Sequence, residues 1–211
     1  MLKRLLLLCT VAVFAATASA TTILTFGQTA GGSPVTATNN GGTSTTITAS
    51  DVGITITGID AALATPLNAF LNLSATSTGA ATLDGSNNIT QSFSGTFTIT
   101  SLAGGAGTNY LSGSFSDSVF GKGASLTLSV SQPPDSVSFT SAVISSSDLN
   151  APRAMSLSFA NVNPLASING TSLNSFTSSI SGTFSAVSTP EPASMLLLGA
   201  GLIGLVLRRR K

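Results

Sequence analysis

The chain has 211 residues and a formal net charge of +1, with 8 basic and 7 acidic side chains, one Cys and no His. The lack of His removes the commonest general base and the usual metal ligand, and it excludes a Ser/His/Asp set. Six of the basic residues lie at the two ends, so the middle holds Lys122 and Arg153 against Asp51, Asp60, Asp84, Asp117, Asp135 and Asp148, a net charge of −4. Nucleic-acid binding is left without its electrostatic footprint.

Residues 1–20 read as an export signal. Lys3 and Arg4 form a basic start, Leu5–Ala16 an apolar run, and Ala18-Ser19-Ala20 a small-x-small cleavage site that leaves Thr21 as the new N-terminus. Cys9 lies inside the apolar run and leaves with it, so the remaining chain has no thiol and no disulfide. Its stability must come from an apolar core and sheet hydrogen bonds.

Residues 21–188 are long enough for one domain with a real core. About a third of them are Ser or Thr, yet apolar residues recur in period-two alternation. Ile23–Phe26 predicts a strand. Gln28–Thr43, with Gly31, Gly32, Pro34, Asn39, Asn40, Gly41 and Gly42, predicts a loop. Ile47 starts a weak strand, and Ile54 and Ile56 mark a clear one. Asp60–Asn68 allows a helical turn limited by Pro66. Phe70, Leu71 and Leu73 open the next strand, and Asp84-Gly85 marks a turn.

Phe93, Phe97 and Ile99 then share a face, followed by a Gly104–Gly107 loop and a strand through Leu111 and Phe115. Leu126, Leu128 and Val130 come next, then a turn at Pro133-Pro134-Asp135, then Val137, Phe139 and Val143. Ala151-Pro152 breaks the pattern. Met155, Leu157 and Phe159, and finally Phe176, Ile180, Phe184 and Ala186, form the last faces. Roughly ten short strands with regular turn signals predict an all-β domain, an antiparallel β-sandwich of jelly-roll type. A parallel β-helix lacks the constant-length repeat it requires.

Ser94-Gly95-Thr96-Phe97, Ser112-Gly113-Ser114-Phe115 and Ser181-Gly182-Thr183-Phe184 repeat one short motif. The alternation predicts that each Phe enters the core and each Gly admits a close neighbour, rather than a ligand ledge. Asp84, Ser86 and Asn88 have the spacing of the first ligands of a calcium loop, but Gly85 is misplaced and the bidentate acid is missing, so a hairpin turn is expected. Asp51 and Asp60 are expected to be solvated loop carboxylates rather than an acid–base pair. No metal site, no catalytic residue and no cofactor is expected.

The end of the chain is Pro190-Glu191-Pro192, an uncharged run at 193–207, and a basic tail of Arg208, Arg209, Arg210 and Lys211. As a helix, residues 193–207 span about 22 Å, short of the roughly 30 Å hydrocarbon core. Snorkelling arginines can extend them. The positive-inside rule predicts a transmembrane helix with a cytoplasmic basic tail and Pro-Glu-Pro on the far side. This arrangement resembles the PEP-CTERM sorting signal of Gram-negative bacteria that make exopolysaccharide. The resemblance implies that exosortase, a membrane enzyme, reads Pro190-Glu191-Pro192 over 189–211. It also implies passage through the inner membrane, arrival at the cell surface or matrix, and association with extracellular polysaccharide. The expected product is a structural protein without catalytic activity; the alternative is a glycan- or calcium-binding surface module.

Overall fold

The computed structural model describes residues 20–132 and 135–188. The described residues form thirteen strands and one short 3-10 turn, Ser146–Asp148. The strands are β1 (Ala20–Gln28), β2 (Val35–Gly41), β3 (Ser44–Ile59), β4 (Leu67–Ser77), β5 (Thr82–Leu83), β6 (Ile89–Leu102) and β7 (Ala106–Lys122). They continue with β8 (Ser125–Ser131), β9 (Ser136–Val137), β10 (Asn150–Asn163), β11 (Ile168–Asn169), β12 (Ser172–Leu173) and β13 (Phe176–Val187).

Eight antiparallel strands close into a barrel in the order β6-β4-β3-β1-β13-β10-β8-β7, and β7 pairs back onto β6. The expected sandwich is therefore replaced by a closed barrel, while the all-β, antiparallel part of the expectation holds. Both architectures bury one side of each strand and expose the other, so alternation alone does not separate them. The long β6–β7 hairpin decides it. It pairs from Ile89↔Gly121 to Leu102↔Ala106, while β6 also pairs with β4 and β7 with β8. No free edge is left on either strand, which removes the pairing hazard of open sheets.

Two positions in the ring are each filled by two strands in succession. β1 and then β2 lie between β3 and β13: Gly27 pairs with Ser181 and Thr55, and Thr36 with Thr177 and Thr48. The segment Thr29–Pro34 bulges out between them. Similarly, β8 and then β9 run along β7, at Ser118–Lys122 and at Phe115–Ser116. Val35 and Ala37 are buried and Thr36 and Thr38 exposed, so β2 alternates as a strand should. The flanking glycines and asparagines make the same stretch read as loop.

The interior is filled from wall to wall, as eight strands permit. Phe184 is the hub. Its ring lies 4.9 Å from Phe97, 5.8 Å from Phe139 and 6.2 Å from Phe26. All four rings are buried, together with Phe93 and Phe159. Such aromatic contacts add about 0.5–1.5 kcal/mol each beyond burial.

Other differences are local. The two strands expected around Ile47 and Ile54 are one 16-residue strand, β3. Its register against β4 shifts between Ala49 and Val52, where Asp51 takes a positive φ of 49°. The bulge re-aims the strand without ending it. The Ala151-Pro152 break is likewise a register shift inside β10, between Asn150 and Ala154. Asp60–Pro66 forms bends rather than helix, and Leu67 and Asn68 already belong to β4.

Candidate functional site

The barrel brings its two ends together. Ala20 pairs with Val187 and Thr21 with Ala186, so the N-terminal and C-terminal segments leave from one pole. The first three residues of β1 are exposed, and pairing with β3 begins only at Leu24. The expected cleavage bond, Ala20–Thr21, thus lies on an open strand end with one ladder partner. Ser188 donates from its hydroxyl to Asp148, tying the last described residue to the 3-10 turn. Ala18, the Pro190-Glu191-Pro192 tripeptide, the 193–207 run and the basic Arg208, Arg209, Arg210 and Lys211 lie outside the described residues.

The candidate carboxylates separate into structural roles. Asp84 Oδ1 accepts from the backbone N–H groups of Ser86 (2.8 Å) and Asn88 (2.9 Å), and Oδ2 accepts from the Asn88 amide (2.8 Å). The Asn88 side chain, then those N–H groups, hold the carboxyl below its ordinary range. The calcium-like spacing is thus a hydrogen-bonded turn. Among the described residues no group of three or more potential ligands gathers in a way that could hold a metal.

Asp51 sits in the β3 bulge and Asp60 just past the end of β3. Eight residues of strand lie between them, a separation of roughly 30 Å, so they form no acid–base pair. Asp51 was expected to be a loop carboxylate, but it is a junction. It accepts from the Asn72 amide (2.9 Å) and from the Gly104 N–H, while its own N–H donates to Asn72 Oδ1 (3.0 Å). Asn72, then Gly104, lower its pKa. Asp117 moves the other way: burial raises its pKa, the Ser118 N–H opposes this, and the charge of Asp135 adds to it.

The three repeated motifs pack as expected. Phe97, Phe115 and Phe184 are buried. A Cβ on Gly95 would overlap the Ser74 carbonyl oxygen, one on Gly113 the Ser138 carbonyl oxygen, and one on Gly182 the Phe26 ring. These are core contacts, not a ledge.

What remains outside is an uncharged hydroxyl face. One cross-strand row runs Thr36, Thr48, Ser74, Thr96, Ser114 and Ser138 across β2, β3, β4, β6, β7 and the β9 segment. A second runs Thr38, Thr46, Thr76, Ser94, Ser116 and Ser136 beside it. A third includes Asn72, Thr98, Ser112 and Thr140. Neighbours bond along the rows: Ser114 with Ser138 and Ser112 with Thr140, both at 2.8 Å. An open depression of about 310 Å³ lies in the middle, between β3, β4 and β6, with Thr48, Ser50, Asn72, Ser74, Thr96 and Thr98 around it. A membrane-spanning barrel carries an apolar band in this position; this one carries alcohols.

Two amides, Gln91 buried and Gln28 half-buried, escaped sequence reasoning. Gln91 is 1% exposed. It donates to the Thr43 and Gly79 carbonyls (3.1 and 3.0 Å) and accepts from Leu173 N–H (3.1 Å), so it laces three loops at the pole away from the chain ends. Gln28 bridges the β1–β2 excursion, donating to the Ser33 carbonyl (2.9 Å) and accepting from Ile180 N–H (2.9 Å). The available signal for Gln91 was a long amide at an inward position, two residues before Phe93.

The description "PEP-CTERM protein-sorting motif" matches residues 188–211. No characterised protein and no solved structure gives a significant match. The matched segment begins one residue after β13 ends, at the pole where both ends of the barrel meet. The chain thus carries a C-terminal PEP-CTERM sorting motif, which marks it as an exported, exosortase-targeted surface protein.

Proposed function

We propose that the protein is a non-catalytic structural component of the cell surface or extracellular matrix, released by exosortase and associated with extracellular polysaccharide. The chain is held in the inner membrane by residues 193–207, with Arg208–Lys211 on the cytoplasmic side, until Pro190-Glu191-Pro192 is read. The observation that carries this reading is the placement of the 188–211 motif directly after the last barrel strand. Processing there leaves every described strand intact. The charge and residue inventory supports a non-catalytic role: the chain has no His, its one Cys falls in the export signal, and Asp51 and Asp84 are engaged by their own amides.

The test is Glu191→Ala, expressed in a host that encodes an exosortase. The variant is expected to accumulate as a full-length band in the inner membrane while the parent chain appears outside. Normal processing of the variant overturns the sorting reading.

A further inference from the structure

We infer that the hydroxyl face across β2, β3, β4, β6, β7 and β9 is a binding surface for a neutral polysaccharide chain, centred on the depression beside Ser74 and Thr96. This rests on the extracellular reading above and gives it a site. Three features of the face carry the inference.

The first is chemistry. The rows present hydroxyl after hydroxyl, with one amide, Asn72, and no charge. Each hydroxyl both donates and accepts, so the face matches a partner whose surface is also made of hydroxyls. Asp51 stands at one corner with Oδ1 held by Asn72 and Gly104, and Asp117 and Asp135 adjoin Ser116 and Ser136 at the end of the second row, away from the depression.

The second is spacing. Successive hydroxyls along a row are one strand apart, about 4.8 Å, and rows are about 7 Å apart. The step along a row is comparable with the length of one pyranose unit. A chain lying across the strands meets a new Ser or Thr at each sugar, over roughly 24 Å from β2 to β9.

The third is shape. The depression of about 310 Å³ interrupts the middle of the rows, where the Asp51 bulge bends β3 and where Gly95 lets β4 and β6 approach closely. A concave site recovers contact area that a convex barrel wall loses. The Asn72 side chain lines it, with one N–H and one lone pair left after its two bonds to Asp51.

The full chain in mild detergent should be retained on at least one of a panel of uncharged matrices (cross-linked dextran, cellulose, a β-1,3-glucan and a galactomannan). Retention should change little between low and high salt, because no ion pair is involved. Ser74→Asp and Thr96→Lys each place one charge on the face and should weaken retention about tenfold or more, whatever the sign of the charge. Ser158→Asp, exposed on β10 across the barrel, should leave it unchanged. Thermal unfolding confirms that each variant is folded, and Thr96→Ala, which removes a hydroxyl without adding charge, should also weaken retention. The inference is overturned if no neutral matrix retains the chain, if only carboxymethyl-dextran does, or if Ser158→Asp weakens binding as much as Thr96→Lys. Glu191→Ala reads sorting by itself, so failure here and failure there are distinguishable.

Discussion

Gly113 stands directly opposite Phe97 in the β6–β7 ladder, and the same ladder sets Gly95 opposite Phe115. Two copies of one short motif thus pair antiparallel, each glycine facing the other copy's aromatic residue. The third copy repeats the relationship with a different partner: Gly182 lies opposite Phe26 on β1. At Gly182 and Gly113 a Cβ would meet the ring opposite, whereas at Gly95 it would meet the backbone of β4 at Ser74 and Ala75. This device lets large Phe side chains fill a barrel whose inner wall has little space to spare.

That relationship predicts a ranking among glycine substitutions. Gly95→Ala and Gly113→Ala drive a methyl group into the Ser74 and Ser138 carbonyl oxygens, which are backbone and hold ladder positions. Each should cost about 2–3 kcal/mol, at the upper end for overpacking. Gly182→Ala meets the Phe26 ring, a side chain with some freedom to turn, and should cost less. Gly27→Ala has open space around it and should be neutral or stabilise by about 0.5 kcal/mol through the unfolded chain. Urea unfolding of the four variants checks the order. Equal effects at Gly27 and Gly113 would remove the close-approach explanation.

Most of the wall was legible in the sequence because alternation is local. Val137, Leu157 and Phe184 alternate with polar neighbours, and each is buried. Closure was not legible, because it depends on which strands meet at the seam, and β6 and β7 look the same whether they end a sheet or join one. β2 was hidden by the Gly and Asn residues around Val35 and Ala37. The Asp51–Asn72 junction needs a bulge and a neighbouring strand 21 positions away, a pairing that no single window contains. The sorting segment was legible for the opposite reason: its tripeptide, apolar run and basic end are contiguous. The hydroxyl face emerged only once cross-strand register aligned Thr48, Ser74 and Thr96.

Gln91 offers a second prediction. Its amide satisfies the Thr43 and Gly79 carbonyls and the Leu173 N–H from a position 1% exposed. Gln91→Leu fills a similar volume and strands all three groups. Each buried, unpaired polar group costs about 1–3 kcal/mol, and some loop relaxation will recover part of it. A loss of about 3 kcal/mol is expected in urea unfolding, with faster amide exchange at Leu173. Unchanged exchange there would show that the amide does not hold the loops.

Asp117 and Asp135 provide a third. Burial raises the Asp117 pKa above 3.8, with Asp135 adding to the shift. A carboxyl whose folded pKa is raised supports the fold only when protonated; its contribution is full below 3.8 and lost as pH rises through the folded value. Asp117→Asn should therefore raise Tm at pH 7 and match the parent at pH 3. A variant less stable than the parent at pH 7 would contradict the assignment.

Asp51 and Asp84 should behave with the opposite sign. Both have a pKa below 3.8 in the folded chain, because Asn72 and Gly104 hold the one and Asn88 and Ser86 the other. A lowered folded pKa contributes stability above the unfolded value and loses it as pH falls through the folded one. Asp51→Asn and Asp84→Asn should each lower Tm by a few degrees at pH 7. The gap should hold down to about pH 4 and then close as the parent's carboxylates take up protons. Asp84 is exposed and Asp51 only half-buried, so the gap at pH 7 should stay small. For Asp51→Asn the bulge should also loosen, because a neutral amide accepts the Gly104 N–H less strongly than a carboxylate does. Faster exchange at the Gly104 amide, measured at pH 7, is the local sign of that loss. A Tm gap that stays constant from pH 7 to pH 2 would mean that the two carboxylates are not held by these donors.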